Sequence, residues 1–331
     1  MVQGTANLNT EVTEKWLQEY VDSWVQFFKK QTVDGEVATY IPILAEANAD
    51  ALGISIIGRN GTIIKSGITE EKFTIQSISK VLTFIVACME RGLAYVLSRV
   101  DVEPTGEAFN SIMHLEMKRP NKPFNPLVNS GAITVSSMLE GRTSDQKLEA
   151  LIVLLEKMIG YRPEVNVRAY ESERDTSMKN RAIGYYLLEG DYLESDLGIT
   201  LETYFKQSAI EITVDDLARI GLVLSNDGFD PNTNEEIIPR AISRLAKALM
   251  LTCGMYDASG KFAAYVGVPA KSGVSGGILA VVPPRVRDEE FPFLEGCGIG
   301  VYGPALDNQG NSIGGIKLLR HIANQWDLSL F

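Results

Sequence analysis

The stretch FTIQSISKVLTFIVACMERG, Phe73–Gly92, sets a serine and, three residues on, a lysine at the head of an apolar run. From Val81 to Met89 the only polar side chain is Thr83, so the run predicts a buried helix. Residues three apart on a helix share a face, which puts Ser77 and Lys80 within reach of each other on its first turn. A lysine held in apolar surroundings loses charge stability, so its pKa falls and it can act as a base. A serine beside such a base is a candidate nucleophile. The same spacing recurs at Ser144 and Lys147, but TSDQKLEALIVLLEKMIG reads as an ordinary polar helix start. There Ser144 is expected to cap and Lys147 to lie in solvent.

The rest of the chain sets bounds on that reading. At 331 residues it forms one large domain or two lobes, and 45% apolar with 22% charged residues suits a water-soluble protein with a sizeable core. A formal charge of −11 opposes binding to nucleic acid or to anionic membranes. No run approaches the ~20 apolar residues needed to span a bilayer. The start MVQGTANLNTEVTEKW lacks a basic region followed by an apolar one, so no secretory signal is expected. Cys88, Cys253 and Cys297 are odd in number and far apart, which fits free thiols in a reducing compartment and predicts a cytoplasmic protein. Neither CxxC nor HExxH occurs, and no metal is expected. His114 and His321 are the only histidines, which leaves a Ser-His-Asp triad little to be built from. His321 falls in a terminal amphipathic pattern and is expected at the surface or in a cap. A serine enzyme built on this chain needs lysine or tyrosine as its base.

Residues 9–30 show helical spacing, with Asn9 or Thr10 as a plausible cap. LGISIIGRNGTIIKSG (52–67) has the signature of a hairpin turning at Asn60-Gly61. Helical patterns then dominate from Ser77 to about Leu251. Strand-like runs return in KFAAYVGVPAKSG, GGILAVVPP and GCGIGVYGP, before a last helix from about Ser312. The expected fold is α+β, a mainly antiparallel sheet built from both chain ends with flanking helices and an inserted helical lobe. Its α/β lobe is expected to cover about 1–72 and 252–331, and its helical lobe about 73–251. That arrangement places the Ser77 helix at the junction, where small-molecule sites often lie.

Further polar groups cluster in unusual places. Lys271-Ser272-Gly273 follows the serine, in the order found in penicillin-recognising enzymes, which combine SxxK with a later K-[ST]-G. An earlier copy, Lys65-Ser66-Gly67, closes a hairpin strand and is explained by its turn. Glycines after Lys271 let backbone N–H groups approach a ligand, as an oxyanion hole requires. PFNPLVNSGAI places Asn125 and Asn129 in a loop before an apolar helix, where Asn129 reads first as a cap. Glu173 and Asn180 lie seven apart, on one face if the segment is one helix. Tyr40, Tyr204 and Tyr256 each read, in isolation, as half-buried packing residues.

Taken together, FTIQSISKVLTF, VEPTGEAFNS, NPLVNSGAI, the E-x6-N pair, TLETYFKQSAI, GMYDASG and VPAKSGVSGGI resemble the glutaminase family, in that family's order, from about Tyr20 to Gly315. These are serine-dependent glutamine amidohydrolases of the β-lactamase and penicillin-binding-protein-like fold, and the chain is similar to their short bacterial form. The resemblance implies Ser77 as nucleophile and Lys80 as its base partner, with Tyr256 and Tyr40 assisting proton transfer or holding substrate. It implies that Asn129, Glu173, Asn180 and Tyr204 grip the amino acid, and that Val274 lends a backbone N–H. Ser275 and Thr105 depart from the family's glycine and serine, each by a small residue.

The implied reaction is hydrolysis of L-glutamine to L-glutamate and ammonia through a γ-glutamyl ester on Ser77, with no cofactor. Glu173 suits the substrate ammonium, and the amide and phenol side chains suit its carboxylate. The family also implies a homo-oligomer, a dimer or a tetramer. Two other readings compete: a penicillin-recognising hydrolase of the same fold, and a non-catalytic amino-acid-binding protein.

Overall fold

The computed structural model describes residues 4–108, 110–111, 122–286 and 292–331, with side chains from residue 14 onward. His114 lies outside the described residues.

Two regions of the chain far apart in sequence build one sheet. Strands β1 (Gly53–Gly58) and β2 (Ile63–Gly67) form the expected hairpin, with Gly61 at φ 91° in its turn. After a long interval come β5 (Ala270–Ser272), β6 (Gly277–Val282) and β7 (Cys297–Tyr302). Between the two groups, β3 (Phe73–Thr74) and β4 (Glu211–Ile212) pair in a separate short ladder. The order of the main sheet is β2-β1-β7-β6-β5, and every pairing is antiparallel. β1 therefore lies against β7, so the two chain regions zip together at the centre of the sheet.

Both faces of the sheet are covered, and the alternation of side chains assigns them. On β6, Ile278, Ala280 and Val282 join the apolar cluster that holds Val21, Val25, Leu318 and Ile322. The helices Gly4–Lys29 and Ile313–Gln325 pack there. Leu279 and Val281 point the other way, into the cluster that holds Val214, Leu217 and Ile220 of the helix Val214–Ser225. Glycines let that helix approach unusually near. A Cβ on Gly298 would sit 1.9 Å from the Ala218 carbonyl oxygen, and one on Gly300 would sit 2.0 Å from that of Val214. Thr213 starts the helix with a capping box completed by Asp216.

Several local expectations are corrected. The first helix begins at Gly4, so neither Asn9 nor Thr10 caps it. The strand-like FAAYV is helical, Ser259–Tyr265, because Phe262 and Val266 turn into the same apolar cluster. At the second SxxK, Thr143 is the cap, accepting from the Gln146 amide, and Ser144 is the first helical residue. Lys147 is buried rather than solvated. It donates to the Ser137 carbonyl at 3.0 Å and also to that of Leu139, and so satisfies the end of the preceding helix, Asn129–Met138. His321 packs edge-on against Trp24, with ring centroids 4.8 Å apart, and has no capping role.

Candidate active site

Ser77 stands just ahead of the helix that carries Lys80, and not on its first turn. Ser77 lies in a single 3-10 turn, Gln76–Ile78, that feeds directly into the helix Ser79–Arg91. Gln76 holds φ 46°, a left-handed conformation of a kind that costs a non-glycine residue about 1–3 kcal/mol, immediately before the serine. Lys80 is 2% exposed, and its amine donates to Asn129 Oδ1 at 2.6 Å. Burial lowers its pKa to about 7, against the opposing pull of the Glu173 charge.

Asn129 does not cap. It is the first residue of its helix, and the turn before it is held by Asn125, whose Oδ1 accepts from the amides of Leu127 and Val128. Released from that task, Asn129 accepts from Lys80 and donates through Nδ2 to Asn180 Oδ1 at 2.8 Å. One amide thus ties the lysine to the far wall.

Glu173 and Asn180 reach the same cavity by a route the spacing did not predict. The chain breaks at Ser177, ψ 53°, so Glu173 belongs to the helix Val167–Thr176 and Asn180 to the helix Met178–Glu189. Glu173 is 6% exposed, and its Oε2 has no hydrogen-bond partner among the described residues. Burial raises its pKa to about 8, offset in part by Lys80. A buried carboxylate oxygen left unpaired is costly, and here it faces a cavity.

Tyr204, on the helix Leu197–Ser208, is buried in the wall of the cavity, whereas Tyr40 is 58% exposed and stands at its rim. Tyr256 also has positive φ, 55°. Its hydroxyl donates to the Ser272 carbonyl at 3.1 Å. Burial pushes its pKa up. Lys271 and Ser272 lie in β5, with Gly273 just after it, at the end of the sheet beside the turn that holds Ser77. A Cβ on Gly273 would lie 2.7 Å from the Ile75 carbonyl oxygen, so only glycine lets this turn come so close. Val274 follows it into the cavity wall.

The cavity measures about 270 Å³ and is lined by Tyr40, Ser77, Asn129, Glu173, Asn180, Tyr204 and Val274 among others. Every site residue named from sequence lines it, apart from Lys80, which is bonded to Asn129, and Tyr256, which packs in one apolar cluster with Val274. Sequence reasoning missed Gln76, Asn110, Lys179 and Ser208 in the same lining. Lys179 adjoins Asn180 and was open to detection; Ser208 carries no local signal. No cluster of three or more potential metal ligands occurs among the described residues.

A buried SxxK lysine at the head of a helix, beside a K-S-G edge strand of an antiparallel sheet, defines an enzyme of the β-lactamase-like fold. Within that class the comparisons are specific. The glutaminase family model matches residues 35–331. A glutaminase of Oceanobacillus iheyensis is 76% identical over the whole of both chains, and glutaminase 1 of Bacillus subtilis is 54% identical over 93% of this chain and 94% of its own. A crystal structure of a probable glutaminase of Bacillus subtilis superimposes with TM-score 0.90 at 51% identity, covering 95% of this chain and 97% of that one. Another, the covalent complex of a Bacillus subtilis glutaminase with 5-oxo-L-norleucine formed from 6-diazo-5-oxo-L-norleucine, gives 0.86 at 48% identity, with 95% and 99% covered. The chain belongs to the glutaminase family. It is an amidohydrolase that converts glutamine to glutamate and ammonia, which removes the penicillin-recognising and non-catalytic readings.

Proposed function

We propose that the reaction runs through an ester between Ser77 and the γ-carboxyl carbon of glutamine. The observation that carries this reading is Ser77 in the wall of one small cavity, three residues before a buried lysine whose pKa is lowered to about 7 and whose amine donates to Asn129 of the same wall. Neutral Lys80 takes the Ser77 proton as the hydroxyl attacks the amide carbon. The oxyanion is met by backbone N–H groups of Ser77 and Val274. Tyr256, packed beside Val274, passes a proton to the departing ammonia, and water then attacks the ester by the reverse proton path. Tyr40, at the rim, closes over the substrate and assists the transfer.

Glu173 takes the substrate ammonium, which supplies the partner its Oε2 lacks. Asn129, Asn180 and Tyr204 grip the carboxylate end. A peptide-bound glutamine has no free ammonium, and would leave Glu173 buried and unpaired, so it is rejected. The test is covalent trapping. Treatment with 6-diazo-5-oxo-L-norleucine, followed by peptide mass spectrometry, places the adduct on Ser77; an adduct elsewhere overturns the assignment.

The proposal extends to the organisation of the chain as a single domain, with an α/β lobe at about 1–72 and 252–331 and a helical lobe at about 73–251. It also includes a cytoplasmic setting, supported by three free cysteines, and a homo-oligomer, dimer or tetramer. No helix among the described residues is long and apolar enough to cross a membrane. Trp16, Tyr20 and Phe27 are exposed on the first helix, and their burial between copies favours assembly. Light scattering after gel filtration reads the oligomer size, and a monomer at micromolar concentration overturns it.

A further inference from the structure

A second cavity, of about 640 Å³, shares no lining residue with the one that holds Ser77. Among the described residues its lining carries four cations, Arg59, Arg240, Arg244 and Lys247, and one carboxylate, Asp227. The chain as a whole has a formal charge of −11, so this concentration of positive charge runs against its general character. Arg240, Arg244 and Lys247 follow at intervals of four and three on the helix Arg240–Cys253, and therefore share one face. Arg59 joins them from the turn after β1.

Asp227 does not account for all four. Its Oδ1 accepts from Lys247 at 2.6 Å and its Oδ2 from Arg244 at 2.9 Å, so both oxygens are already engaged. Arg240 stands 3.9 Å from Oδ2 and lays its guanidinium over the Phe229 ring, 5.6 Å from the centroid. The exposed Arg59 guanidinium has no hydrogen bond or ion pair among the described residues. Like charges drawn to one place repel one another, and two of these four exceed what one carboxylate can balance. Arginine presents a planar fork of N–H donors that fits two phosphoryl oxygens at once, and stacking on an aromatic ring fixes that plane in advance.

We propose that this cavity binds the diphosphate group of a small molecule, with Arg59 and Arg240 supplying the donors that Asp227 leaves free and Arg244 and Lys247 the surrounding charge. A diphosphate brings more than one negative charge in a compact group, which matches the surplus. Nucleic acid is a poor match, because the acidic remainder of the chain repels a long polyanion. The assignment is independent of the reaction scheme for glutamine.

The experiment is calorimetric titration of the full chain with inorganic pyrophosphate, free of divalent metal, at about 0.1 M salt. Saturable binding at one site per chain is expected, with a Kd of about 0.1 mM or tighter. Arg59→Ala and Arg240→Ala should each weaken it about 10-fold or more, the effect of one charge-assisted hydrogen bond, and added salt should weaken it further. Both variants should hydrolyse glutamine as the parent does, since neither residue lines the Ser77 cavity. Adenosine diphosphate, titrated in parallel, identifies the source of the group: binding as tight as that of pyrophosphate points to an organic diphosphate, and binding more than about tenfold weaker points to free pyrophosphate. A parent that takes up no pyrophosphate overturns the proposal, as does equal binding of citrate or binding that both variants retain. Displacement of pyrophosphate by glutamate also overturns it, by placing the anion in the Ser77 cavity. Arg240→Ala loses its contact with Phe229 as well; should it not fold, Arg59→Ala, which breaks no ion pair among the described residues, decides alone.

Discussion

Replacing Ser77 by alanine removes a single oxygen from a cavity whose other walls remain. Ser77→Ala should fold normally and lose about 10³-fold or more in ammonia release, the scale on which nucleophile deletions act; a rate within tenfold of the parent would remove Ser77 from its role. Glu173→Gln tests recognition instead. It keeps the shape and removes the charge, and a charge-assisted hydrogen bond is worth about 1.5–3 kcal/mol, or about 10- to 150-fold in kcat/KM. The loss should appear mainly in KM if the ammonium is held equally in ground and transition states; unchanged steady-state constants would put the amino group elsewhere. In the proposed reaction, Lys80 and Glu173 set the pH dependence. Lys80 serves as a base only when neutral, above about 7, and Glu173 holds an ammonium only when ionised, above about 8 in the empty site. Both conditions are met as pH rises, so kcat/KM should climb across that interval. In Glu173→Gln one ionisation disappears, and the Lys80 inflection moves below about 7, because the carboxylate that raised its pKa is gone. A flat profile in the parent enzyme would contradict both assignments.

At the scale of elements, the close fit of the helix Val214–Ser225 on the sheet depends on atoms that are absent. Gly298→Ala would force a methyl group to within 1.9 Å of the Ala218 carbonyl oxygen, so strand and helix must part. Overpacking of this kind costs about 1–3 kcal/mol, to be read as a lowered denaturant midpoint. Gly260, in the helix Ser259–Tyr265, has nothing within 4 Å of its missing Cβ, and Gly260→Ala should instead raise stability by up to about 1 kcal/mol. Alternation and turn chemistry made the hairpin at Asn60-Gly61, β6, β7 and the last helix legible in the sequence. They failed where two periods fit equally well. FAAYV is too short to distinguish a strand from a buried helix, and tertiary packing decided it. The seven-residue spacing of Glu173 and Asn180 suggested one continuous helix, and nothing local announced the break at Ser177. Asn129 looked like a cap because Asn125, four residues earlier, gave no sign that it would hold the turn alone.

At the scale of the whole molecule, the cavity draws on segments spread along most of the chain. Tyr40 precedes the hairpin, Ser77 opens the helical region, Asn129, Glu173, Asn180 and Tyr204 arise within it, and Val274 follows β5. A ligand bound there touches both the sheet side and the helical side, so it must stabilise the entire fold and not one element. The product glutamate is a suitable probe, since it carries the same ammonium and carboxylate as the substrate. At about 100 times its Kd a ligand adds about 2.7 kcal/mol to the native state, and for a domain of this size that corresponds to roughly 4 °C in Tm. Scanning fluorimetry or calorimetry on the purified protein should show one transition that moves upward as a unit with glutamate concentration. In Glu173→Gln the shift should shrink at every concentration, because the ammonium has lost its charged partner, while the transition without ligand does not fall, because the costly buried carboxylate is gone. A glutamate titration that inhibits ammonia release but splits the transition, moving one part and leaving another fixed, would mean that the two sides of the cavity unfold independently.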